Sequence, residues 1–119
     1  MIALLLALAT PMSLPLYPFC QPGYATQQRV LHNRYYYSAI KRKLLHGRPF
    51  KRYILDHIVP IEVGGSAADP ANMQLQTKAK AHAKDLVEHH LHREVCSGRL
   101  SPAAAQEQMR VWRRPAPAL

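Results

Sequence analysis

At 119 residues the chain has room for one domain and one modest core, and it carries 16 Lys+Arg against 7 Asp+Glu, a formal charge of +9. No acidic residue precedes Asp56, so the first half is purely basic, through Arg29, Arg34, Lys41, Arg42, Lys43, Arg48, Lys51 and Arg52. That balance puts nucleic acid first among partners, ahead of anionic lipid or a merely solvated basic face.

Residues 2 to 9 form an apolar run ending in Ala7-Leu8-Ala9, which is similar to the hydrophobic stretch and small-residue cleavage site of a secretory signal, without the usual basic start. The run is too short to span a membrane. Residues 1–22 are therefore expected to be a signal-like or disordered leader, with Pro11, Pro15, Pro18 and Pro22 opposing regular structure. Export, to the periplasm or beyond, is favoured over a cytoplasmic location. A single domain is expected over 23–113, with 114–119 a loose tail.

Within the domain, residues 26 to 46 read as one basic helix. Val30, Tyr37, Ile40 and Leu44 recur at helical spacing, and Gly47 and Pro49 end the run. Residues 53 to 59 read as a strand, followed by the Gly-, Ala- and Pro-rich loop "EVGGSAADPA". Asn72 to Gln76 alternates Met73 and Leu75 with polar neighbours, as a short half-buried strand does. Thr77 can cap a long helix from Lys78 to Cys96, with Ala79, Ala83, Leu86, Val87, Leu91 and Val95 as its apolar positions and Gly98 as its stop. Ser101-Pro102 opens a last helix, with Ala105, Met109 and Trp112 on one face. The expected class is α+β. Cys20 and Cys96 suggest a disulfide if the chain is exported and free thiols if it is not; their separation excludes a C-x-x-C motif.

The first strand holds a contradiction. Asp56 and His57 sit beside Ile58 and Val59, where ionisable groups need hydrogen bonds, a partner or a metal. On a regular strand they point to opposite faces, so they serve one site only if the strand ends at His57 and the chain bends, which Pro60 and Gly64-Gly65 allow. A local Asp-His pair at a strand end is the plain structural alternative.

"DHIVPIEVGG" followed by "NMQLQTKAKAHAKD" resembles the HNH endonuclease family, and the flanks "CQPGY" and "KDLVEHHLHREVCSGRLSPAAAQ" fit a branch of small HNH-like proteins. The resemblance implies a ββα-metal core of two short antiparallel strands and a long helix. It implies a metal-dependent endonuclease cutting DNA, double-stranded by expectation, with little sequence specificity. His57 would be the general base, Asn72 would orient the His57 loop, and Asp56 would ligate one divalent ion, with Mg, Mn, Ni and Zn not distinguished. His82 would supply the helix ligand. That branch often has Lys rather than His near this place, followed by Lys-Asp as in Lys84-Asp85.

Helix geometry lets His82, Asp85 and His89 share one side of the long helix. Its first two turns are expected nearest Asp56-His57, which favours His82 over His89, with Asp85 as second ligand or as the acceptor orienting His82. Lys84 would face phosphate, with Lys41, Arg42, Lys43, Lys51 and Arg52 gripping the backbone. Glu62 reads as a loop acceptor, and His89, His90 and His92 as a solvated face. Of Tyr35-Tyr36-Tyr37, one is expected in the core and two at the surface. A non-catalytic nucleic-acid binder on a decayed HNH scaffold is the rival function. A bound inhibitor protein is not identifiable from the sequence.

Overall fold

β1 (Tyr53–His57) and β2 (Met73–Thr77) pair antiparallel, with Tyr53 opposite Thr77, Leu55 opposite Leu75 and His57 opposite Met73. They come from a computed structural model that describes residues 17–112. The signal-like run and the loose tail lie outside the described residues. Before the sheet come α1 (Tyr24–His32) and α2 (Arg34–Leu45), and after it α3 (Lys78–Cys96) and α4 (Pro102–Trp112). The class is α+β, with four helices and one two-stranded sheet among the described residues. None of those helices is long and apolar enough to cross a membrane.

The single basic helix expected over 26–46 is two. Asn33 sits at φ 50°, ψ 161°, outside helical space, and its side chain accepts from the Tyr35 and Tyr36 amides to start α2 afresh. A short polar side chain that bonds nearby backbone competes with helix continuation in just this way. The boundaries that depend on caps fall where the sequence put them. Thr77 accepts from the Lys80 amide at the start of α3, Gly98 follows its end at φ 80°, and Ser101 accepts from the Ala104 amide before α4.

The main buried cluster draws no residue from the sheet, although Met73 of β2 is buried as well. Phe19, Val59, Val63, Leu91, Val95, Ala105 and Met109 form one buried cluster, drawn from the N-terminal segment, the loop after β1, α3 and α4. The leader boundary at residue 22 therefore falls inside the folded unit, because a 3-10 turn at Pro18–Cys20 inserts Phe19 into that cluster. A Cys20–Cys96 disulfide fastens this turn to the end of α3. It closes a loop with a sequence separation of 76, so in the chain-entropy model the double Cys→Ser variant should lose about 4 kcal/mol of stability. Urea unfolding under oxidising conditions checks this, and an unchanged midpoint would refute it.

The loop between the strands is ordered by backbone geometry. Ile61–Val63 and Pro70–Asn72 are 3-10 turns. Gly64 takes φ 96°, and a Cβ on Gly65 would stand 1.9 Å from the Val59 carbonyl oxygen. No other residue fits the second position without moving the loop.

Candidate active-site cleft

β1 ends at His57, and the bend that follows brings both faces of the strand to one cleft. Both α2 and α3 pack against the sheet. The cleft, of ≈ 280 Å³, is lined by Ala25, Arg29, Asp56, His57, Pro60, Ile61, Glu62, Asp85, Glu88 and His89. Asp56, Glu62, Asp85 and Glu88 are four of the chain's seven acidic residues, gathered in one hollow of a protein with charge +9.

His57 is held from behind. Its Nε2 lies 3.0 Å from the Ala67 carbonyl oxygen. A carbonyl only accepts, so Nε2 carries the proton and Nδ1 the lone pair. The Tyr37 ring meets the imidazole edge-on at 5.9 Å, and its hydroxyl donates to the same Ala67 oxygen at 2.9 Å. Tyr36 donates to the Ala68 carbonyl at 2.5 Å, so two tyrosines staple the loop that orients His57. The expected split of the Tyr run is recovered in part: Tyr35 is exposed, Tyr36 is at the edge and Tyr37 is half-buried. Burial pushes the His57 pKa below its ordinary value. The Ala67 bond and Asp56 oppose that shift, while Arg29 and Lys84 add to it.

Asn72 clamps the bend after β1. Its Oδ1 accepts from the Val59 amide at 2.9 Å, and its Nδ2 donates at 2.9 Å to both the Val59 and Ser66 carbonyls. Its backbone oxygen accepts from the Ile58 amide at 2.8 Å.

Lys84 is displaced from its expected role. Far from facing phosphate, it is 0 % exposed. Its Nζ lies 2.5 Å from the His57 carbonyl, 2.6 Å from Glu88 Oε1 and 2.8 Å from Asp56 Oδ2. The ammonium donates to the His57 carbonyl and to Glu88 and is ion-paired with Asp56. Burial raises the Glu88 pKa, against the pull of Lys84.

The helix histidines exchange places. His82 is exposed and does not line the cleft. It lies two residues from the buried Lys84, hence near the opposite side of a 3.6-residue helix. His89 does line the cleft, with Nδ1 3.2 Å from Glu62 Oε1. His92 Nδ1 donates to the Glu62 backbone oxygen at 2.5 Å. The reason is that the Ile61–Val63 turn packs against α3 and carries Glu62 to its middle. Of the expected solvated face, His92 is thus fixed to the loop and His89 stays exposed while leaning on Glu62; Asp85 stays with the cleft. Glu62 accepts through its backbone oxygen from His92, while its Oε1 meets His89 only as an ion-pair contact.

Among the described residues no three His, Cys, Asp or Glu side chains converge closely enough to hold a metal ion. Asp56, the expected first ligand, is instead matched by Lys84. Oxygen donors are plentiful in the cleft, yet they do not form a preassembled centre for a divalent ion.

No protein-family model matches the chain, and neither a curated protein nor a solved structure matches it.

Proposed function

We propose that the chain is an endonuclease of the HNH type that hydrolyses phosphodiester bonds in DNA with little sequence specificity, its ββα core being β1, β2 and α3. The observation that carries this reading is His57: a buried imidazole, kept neutral at pH 7 by its depressed pKa, with its proton pinned on Nε2 and its lone pair left on Nδ1 in a cleft. That is the form a general base needs. Nδ1 takes a proton from water as the water oxygen attacks phosphorus. The Arg29 guanidinium at the cleft wall takes up the growing negative charge, and the P–O bond breaks with its oxygen protonated by solvent. Asn72 and Lys84 do no bond-making; they hold the His57 backbone in place.

No step is assigned to a metal ion, because the ligand set the resemblance implies is not assembled. The rival reading, a non-catalytic binder, draws support from the same fact, since Lys84 neutralises Asp56. Nicking of supercoiled plasmid by purified protein, with each divalent ion and with EDTA, separates the readings: a binder retards the plasmid but leaves it closed.

The surface supports polyanion binding. Lys43, Lys51 and Arg52 are exposed, and Lys41 and Arg42 stack on the Phe50 ring at 3.9 and 5.4 Å. Replacing Lys41, Arg42 and Lys43 with Ala should weaken binding on all sequences alike and flatten the salt dependence by up to about three phosphate equivalents. A loss confined to one sequence would mean that they read bases. The disulfide fits an oxidising compartment, and export belongs to this proposal.

A further inference from the structure

Arg29 lines two hollows at once. One is the cleft holding His57; the other is a shallow groove of ≈ 440 Å³ between α1 and the start of α2. Val30, Tyr37 and Thr26 give the groove apolar walls, and Arg29 and Arg34 flank it. Val30 is 72 % exposed, so a large apolar side chain stands open to solvent beside two guanidinium groups.

Tyr37 links the groove to the base: it lines the groove, and its ring meets His57 edge-on at 5.9 Å. No acidic residue occurs in the chain before Asp56, so nothing on α1 or α2 offsets the two arginines. An aromatic and aliphatic slot between two guanidinium groups matches one chemistry closely: a flat, apolar-faced base carried between phosphates.

We propose that this groove is a subsite for an unpaired nucleobase of the substrate strand, next to the phosphodiester presented to His57, with Arg29 gripping the phosphate between them. The inference rests on the nuclease reading and narrows its substrate. A base stacked in a duplex cannot enter the groove, so the strand being cut is single-stranded there or has that base turned out. Stacking accepts every base, because each has a π-face, which suits an enzyme with little sequence preference.

The test compares two short fluorescein-labelled strands of equal length and charge: oligothymidylate and an abasic strand. Both carry phosphorothioate linkages so that they outlast an anisotropy titration at fixed salt. The wild type should bind the base-bearing strand about tenfold or more tightly, the effect of one stacked base. Val30→Asn, at an exposed position that does not risk the fold, should remove most of that preference and leave abasic binding within about twofold. Equal binding of the two strands by a protein that still nicks plasmid overturns the subsite and leaves the nuclease. Binding of neither strand, with no nicking, overturns both. A Val30→Asn protein that keeps the full preference, or loses both strands alike, also overturns the assignment to this groove.

Discussion

His57→Ala slows plasmid nicking by roughly 10²–10⁴-fold while DNA binding changes little, the expected cost of losing a general base. The size of the effect follows from the site. Three of the four carboxylates of the cleft are engaged: Asp56 is paired with Lys84, Glu62 with His89, and Glu88 with Lys84; the fourth, Asp85, stands on α3 rather than on the bend that positions His57. His89, the other imidazole of the cleft, has its Nδ1 turned to Glu62. Equal single-turnover rates for variant and wild type, both folded by circular dichroism, would remove His57 from the chemistry. Tyr37→Phe makes a milder companion, since it keeps the ring against His57 and deletes only the bond to Ala67.

Lys84→Met is expected to be the most destabilising single change in the site, by about 3–5 kcal/mol, the usual cost of removing one partner from a buried ion pair. Methionine fills the volume, so the loss is electrostatic. It strands the Asp56 and Glu88 carboxylates, whose side chains are 18 % and 12 % exposed, and leaves the His57 carbonyl without its donor. In the variant Glu88 loses the ammonium that opposes its burial, so its already raised folded-state pKa rises further. The deficit is then full at neutral pH and shrinks as falling pH protonates Glu88. Urea denaturation at neutral and mildly acidic pH measures both parts. A variant as stable as wild type at neutral pH would mean that the three contacts of Nζ are worth nothing net.

Elements set by local chemistry were legible in the sequence. β1 and β2 follow from alternation and apolar runs, and the ends of α3 and the start of α4 from Thr77, Gly98 and Ser101. Asn72 and His57 stand out in the sequence through the motif, which implies a loop-orienting Asn72 and a general base at His57; the structure places Asn72 on the Val59 backbone and His57 against the Ala67 carbonyl. What failed was the rotational phase of α3. Of the apolar positions read from the sequence, Ala79, Ala83 and Leu86 are exposed, and the buried row is Ala81, Lys84, Leu91 and Val95. Spacings of three, seven and four mark that row, and a lysine in an apolar slot hides it. Polar partners that lie far apart in sequence cannot be seen in a hydrophobic pattern. The clue was available only in combination: Lys84 stands seven before Leu91 and four before Glu88. His89 and His92 escaped for the related reason that their partner, Glu62, arrives from a loop 27 or more residues away. Asn33 escaped because α1 and α2 share one continuous pattern, and only a backbone at positive φ separates them.

The most direct test of the central claim is the pH–rate profile of plasmid nicking under single turnover. Burial places the His57 pKa below the ordinary histidine value of about 6.5. A base is active when deprotonated, so the wild-type rate should rise on the acidic side of that value and be level by pH 7. The His57→Ala profile should lack that rise. Absence of nicking at every pH, with each divalent ion and with EDTA, would contradict the claim, as would a wild-type profile that His57→Ala reproduces.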